Sequence, residues 1–131
     1  MSTSQGDSSE LPSIRIRAIN SASESRGSIH DDEKAREMGY RGGLVPGVTV
    51  LGYMSRMMRE HFGDAWTADG SFSALIRRPV YEGDEISVEG RASTPGSGDR
   101  VSVSLRVLDS EGSVCATAEA SCRTHDQLSA G

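Results

Sequence analysis

The sequence predicts an α+β domain in which one long apolar helix lies across an antiparallel sheet. Three observations predict it. Val50, Leu51, Met54, Met57, Met58 and Phe62 recur at helical spacing over about Gly47 to His61. Alternating apolar segments follow, separated by turn-forming residues rich in Gly, Asp, Ser and Pro. No other apolar helix is present to cover the buried face of such a sheet, so the long helix must do it.

Each element follows from its residues. Ile14, Ile16 and Ala18 alternate with Arg15 and Arg17, which starts the fold with a half-buried strand. Ser21 to Ser28 is a polar loop. A short helix runs through Met38, with Asp31 or Asp32 as its cap and Gly39 as its stop. Pro46 marks the start of the long helix, and Gly52 inside it suggests a close packing partner, because glycine there costs about 1 kcal/mol relative to alanine. Only strands are expected afterwards. Phe72, Ala74 and Ile76 share one face. Tyr81-Glu82-Gly83-Asp84 turns the chain, and Ile86, Val88 and Gly90 point inward. Thr94 to Asp99 is a second turn, and Val101, Val103, Leu105 and Val107 form the clearest strand. Asp109-Ser110-Glu111-Gly112 closes a hairpin onto Val114, Ala116, Ala118 and Ala120, whose small side chains leave room for a helix.

At 131 residues with 15 glycines and 5% aromatic residues, the chain is expected to form one domain with a modest aliphatic core. Residues 1–12 read as a disordered N-terminal segment, 13–123 as the single domain and 124–131 as a loose C-terminal tail. The net charge of −5, with no dense Lys/Arg stripe, argues against a nucleic-acid partner. No apolar run reaches membrane-spanning length and no leader pattern opens the chain, so a cytoplasmic protein with no membrane partner is expected. Cys115 and Cys122 are seven apart on one strand, which places them on opposite faces roughly 23 Å apart and beyond disulfide reach. Neither has metal-ligand spacing, and no metal is expected.

The stretch with the most chemical content runs from Ile29 to Gly52. One histidine, His30, precedes an acid-rich helix start, and a glycine-rich loop then leads into the apolar helix. A helix N-terminus carries unpaired N–H groups and partial positive charge, which suits a carbonyl oxygen as it becomes negative. A histidine can give or take a proton near neutral pH.

Ile29-His30-Asp31-Asp32-Glu33, Gly42-Gly43-Leu44-Val45-Pro46-Gly47-Val48 and Pro79-Val80-Tyr81-Glu82-Gly83-Asp84-Glu85-Ile86 resemble segments of the MaoC-like, or (R)-specific enoyl-CoA hydratase, family. The similarity covers roughly residues 13–122. It implies a hot-dog fold, in which a curved antiparallel sheet wraps around a long central helix, and it implies a homodimer. The family's loop motif is Asp-any-Asn-Pro-any-His, whose Asp and His activate water for addition to a 2-enoyl thioester. Here the His matches His30, while the Asp falls on Ser25, the Asn on Gly27 and the Pro on Ser28. The helix-start glycine, whose N–H polarises the thioester carbonyl, matches Gly47.

The implied reaction is hydration, or its reverse, at the 2,3-double bond of an acyl thioester, with Gly47, His30 and a helper group as the catalytic set. Glu24, six residues before His30, is the first candidate helper. Ser25, Thr49 and Tyr53 are expected to line the pocket, and Arg41, Arg77 and Arg78 to meet a coenzyme A phosphate. No cofactor is expected; a coenzyme A thioester would be the substrate. Each residue also has a plainer reading: a capping or surface histidine, solvated acids, a flexible glycine junction, packed helix residues and surface arginines. The loss of the family's Asp leaves two alternatives open. One is a hot-dog enzyme with a changed reaction, thioesterase or isomerase-like. The other is a non-catalytic acyl-binding or partner subunit.

Overall fold

The computed structural model describes residues 8–20, 31–93 and 100–123. The elements are β1 (Ser8–Arg17), α1 (Asp32–Glu37), α2 (Gly47–Phe62), α3 (Asp64–Asp69), β2 (Ser71–Ile76), β3 (Glu85–Ser93), β4 (Arg100–Leu108) and β5 (Val114–Arg123). The five strands form one sheet in the order β1-β3-β4-β5-β2, and every neighbouring pair is antiparallel. The polar loop at 21–28, the turn at 94–99 and the tail at 124–131 lie outside the described residues.

The helix α2 is the longest, at 16 residues, and packs across β1, β3 and β4. Val50, Met54, Met57 and Met58 are buried on it, and the three methionines are wholly inaccessible to solvent. Gly90 on β3 makes that packing possible. A Cβ there would sit 3.0 Å from Met57 Sδ and 3.2 Å from Leu11 Cδ1. The inward rows Ile86/Val88, Val101/Val103/Leu105/Val107 and Ala116/Ala118/Ala120 are buried as the alternation predicts. The opposite face of the sheet carries the Glu10–Arg91, Glu89–Arg106 and Ser104–Glu119 pairs.

Six expectations change, the last of them in β2. β1 runs from Ser8, ahead of position 13. Pro12 cannot donate a ladder hydrogen bond, and the strand takes up Pro12 and Ser13 in a register shift between Leu11 and Ile14, on an edge strand that tolerates it. A helix follows α2 where only strands were expected. Gly63, at φ +53°, ends α2 and starts α3, which buries Trp66. β5, expected to leave room for the long helix through its alanine row, packs among the helices chiefly against α3. Cys115 and Cys122 are both buried in one core cluster instead of on opposite faces, because the register shift opposite Val107/Leu108 inserts Cys115 as an extra residue. Finally, among the described residues nothing beyond its own helix turns comes within 4 Å of a Cβ at Gly52, so no described contact explains that glycine.

The edge strand β2 departs from its pattern as well. Phe72 packs on the core, but Ala74 and Ile76 are exposed despite sharing its face.

Candidate active site

The helix start at Gly47 is set by the chain on either side of it. Pro46 is its N-cap and offers no side-chain hydrogen bond, and no acid lies in the first turn. The N–H groups of Thr49 and Val50 turn back to the Pro46 carbonyl at 2.9 and 3.2 Å. Gly47 and Val48 therefore keep the N–H groups that any helix start leaves without an intrahelical acceptor, and both residues are exposed.

The loop before this start is fixed on two sides. On one side Val45 N–H donates to Val80 O at 2.7 Å, and Leu44 bridges Tyr81. On the other side α1 holds it. Asp31 caps α1, accepting the Glu33 N–H at 3.1 Å. Asp32 reaches further, and its Oδ1 accepts the Gly43 N–H at 2.6 Å. Arg36, one turn later, donates Nε to Arg41 O at 3.2 Å.

The end of β1 meets the same region. Ala18 N–H donates to Asp84 O and Gly83 N–H to Ala18 O, both at 2.8 Å. Ile19 N–H donates to Tyr53 Oη at 3.3 Å, and Asn20 N–H to Glu82 Oε1 at 2.6 Å. The chain thus leaves the described structure after Asn20, beside Tyr53 and Glu82, and re-enters at Asp31, beside the loop that ends at Gly47. Glu24, Ser25 and His30 belong to the segment between these points and lie outside the described residues.

Tyr53 is half-buried and packed on the core while its hydroxyl reaches the β1 end, and Thr49 sits in the first turn of α2. Of the arginines, Arg41 and Arg78 line one cleft of about 420 Å³ together with Tyr81, Asp84, Asp109 and Glu111. Arg77 does not line it. The Arg41 guanidinium lies 4.1 Å from the centre of the Tyr81 ring and bonds Asp84 Oδ1 at 2.9 Å, so one cation meets both a ring face and a carboxylate. His61 ends α2 with its ring beside Phe62, away from the Gly47 start at the helix's other end.

Asp32, Glu82 and Asp84 hold the backbone here in ways the sequence does not show, although Asp31 and Asp32 could be read from it as groups to orient His30 as well as caps. Asp32 reads as a cap, and Glu82 and Asp84 as turn residues. Only the folded chain shows that all three accept backbone N–H groups around the loop. Among the described residues, no group of three or more His, Cys, Asp or Glu side chains is placed to hold a metal ion. Among them, too, no helix is long and apolar enough to cross a membrane.

No protein-family model and no curated protein matches this chain. Solved structures do. The (R)-hydratase from A. caviae involved in PHA biosynthesis superposes with a TM-score of 0.72 at 16% identity, over 94% of this chain and 99% of that one. The ChsH1–ChsH2 complex from Mycobacterium tuberculosis gives 0.72 at 19% identity, over 89% of this chain and 96% of that one. A MaoC-like dehydratase gives 0.74 at 20% identity, where 88% of this chain covers 39% of a longer one. The fold is therefore the hot-dog fold that the resemblance implies, shared with (R)-hydratases and MaoC-like dehydratases.

Proposed function

We propose that this protein is a hydratase or dehydratase acting at the 2,3-double bond of an acyl thioester, carried by coenzyme A, and that it works in the cytoplasm as a homodimer. The observation that carries the reading is the uncapped start of α2 at Gly47, in a loop held by Asp32–Gly43, with Asp32 two residues after His30 in the sequence.

In this reaction the thioester carbonyl oxygen accepts the Gly47 N–H, which stabilises the negative charge that gathers there. Water adds to C3 as His30 takes its proton. The C2=C3 π electrons move onto the carbonyl as an enolate, and the protonated His30 gives the proton to C2, which completes the saturated 3-hydroxy thioester and restores His30. Glu24 is the first candidate to orient His30, Thr49 and Tyr53 to line the acyl end, and Ser25 to contact substrate. Arg41 and Arg78 are the candidates to meet a coenzyme A phosphate, since they share a cleft that Arg77 does not line; Asp84, Asp109 and Glu111 line the same cleft, and Asp84 already pairs with Arg41.

The homodimer is supported by apolar surface where α2 begins beside the edge strand. Val48 is 76% exposed and Leu75 55%, and a Cβ on Gly47 would lie 3.8 Å from Ile76 Cγ1. An unpaired strand edge with such residues invites a second copy.

Ser25 in place of the family's aspartate favours a second reading: a changed reaction, thioesterase or isomerase-like, or an acyl-binding partner subunit. One assay separates them. Wild-type protein is expected to hydrate a short 2-enoyl-CoA, and His30→Ala to lower kcat by about 10²–10⁴-fold. Hydrolysis or isomerisation of the thioester without hydration, or binding with no turnover, would reject the hydratase reading in favour of the second.

A further inference from the structure

We propose that Asp84 is a positioning residue that holds Arg41 in the cleft as a fixed cation for a phosphate ester. This inference rests on the functional reading above, which offers Arg41 and Arg78 to a coenzyme A phosphate and gives Asp84 no part in binding.

A loop arginine makes a poor anion site by itself, because its long side chain must be immobilised when the ligand arrives, at a cost in affinity. Arg41 is held beforehand. Its side chain is 67% exposed, yet it bonds Asp84 Oδ1 at 2.9 Å and its guanidinium lies 4.1 Å from the centre of the Tyr81 ring. Asp84 is the fixed member of the pair, with its side chain only 19% exposed. Its other oxygen, Oδ2, accepts the Tyr81 N–H at 2.8 Å, and its backbone carbonyl accepts the Ala18 N–H at 2.8 Å. Each carboxylate oxygen thus has its own partner, one in the turn and one on the arginine. The backbone of Arg41 is held as well, since its carbonyl accepts Arg36 Nε–H at 3.2 Å.

This pairing leaves the cation usable. A guanidinium has five N–H donors, and among the described residues Arg41 commits one of its two terminal nitrogens, to Asp84. Arg78 lines the same cleft, with its backbone N–H on Cys115 O at 3.1 Å and no side-chain hydrogen bond or ion pair among the described residues. The charge of Asp84 by itself would oppose an anion. Charge and placement therefore act in opposite directions, and removing the carboxylate tells them apart.

The probe is coenzyme A itself, titrated calorimetrically into the full chain at about 0.15 M salt, where distant exposed charges are screened. Asp84→Asn keeps the side chain's size but offers one oxygen for two donors, so it cannot hold both the Tyr81 N–H and the guanidinium. It is expected to raise the Kd for coenzyme A about three- to tenfold. In an Arg41→Ala background the same substitution should weaken binding no further, because Asp84 acts through Arg41. A residue that only shapes the turn would weaken binding in both backgrounds, and a residue that acts only by its charge would tighten it in both; either result overturns the proposal. If Asp84→Asn does not fold, Tyr81→Leu, which removes the ring beside the guanidinium, decides by the same two backgrounds. A wild type that does not bind coenzyme A also overturns the proposal. A wild type that binds coenzyme A but hydrates no 2-enoyl-CoA ends the hydratase reading alone and leaves Asp84 its role.

Discussion

Trp66 on α3 donates its indole N–H to Ser55 Oγ on α2 at 3.0 Å. This bond fastens a six-residue helix that is too short to persist alone. The ring also lies 5.7 Å from Phe72, and a Cβ at Gly70 would collide with it, so the junction from α3 into β2 closes tightly around the indole. Ser55→Ala leaves the indole N–H unpaired at a site where Trp66 is only 9% exposed. The expected loss is about 1–3 kcal/mol. Trp66 is the single tryptophan, so its fluorescence in urea reads the change directly. An unchanged unfolding midpoint would show that the bond adds nothing.

The surface around the α2 start yields a prediction about assembly. Ile76→Lys places a charge on the exposed apolar patch and is expected to convert a dimer to a monomer in light scattering at micromolar concentration. Gly52→Ala is expected to raise the unfolding free energy of the protomer by about 1 kcal/mol, because the position is helical and open. If the second copy packs at Gly52, that variant gains protomer stability yet dimerises less well. A wild type of monomer mass would remove the homodimer from the reading.

Burial pushes the thiols of Cys115 and Cys122 up from their ordinary value, reinforced at Cys115 by Asp109 and opposed at Cys122 by Arg100. Both should resist a thiol reagent in the native state and react on unfolding. The sign for stability follows from the same shift. The unfolded thiols ionise from about pH 8.5, while the folded ones stay protonated. The stabilisation is therefore complete below that pH and declines as pH rises towards the folded values. Replacing both cysteines by alanine should flatten the alkaline fall in denaturation measurements; an equally steep fall would assign it to other groups.

Arg78→Ala is expected to raise KM for a coenzyme A thioester about tenfold, the effect of losing roughly 1.4 kcal/mol from one contact to a charged group. Arg77→Ala should change it by less than about twofold, since Arg77 lies off the cleft. A pantetheine thioester, which lacks the nucleotide phosphates, should not distinguish the variant from the wild type. Equal effects of the two arginines would show that the cleft does not select between them.

The elements that were legible before folding are those whose partners do not matter to their pattern. The period of α2 and the alternation of β3, β4 and β5 are local, and a helix with that many apolar positions has to be buried somewhere. The glycine-rich loop and Gly47 were legible as a helix start for the same reason. α3 was not, because Asp64 to Asp69 has too few residues to show a period; what fastens it is Trp66, which bonds Ser55 and packs beside Phe72, both outside the helix. The exposure of Ile76 was hidden too, since alternation cannot tell an edge strand from a covered one.

The sequence by itself determined the element types, the apolar helix and the glycine that begins it, because these depend on residues within one or two turns of each other. Only the tertiary structure decided which acids hold distant parts of the chain. Asp31 and Asp32 are adjacent and chemically alike, yet one closes its own helix and the other holds Gly43 eleven residues away. The bulge that brings Cys115 into the core with Cys122, and the cleft that joins Arg41 to Arg78 but leaves out Arg77, were decided the same way. Each depends on strand register and on contacts between segments far apart in the chain, and neither spacing nor composition encodes those locally.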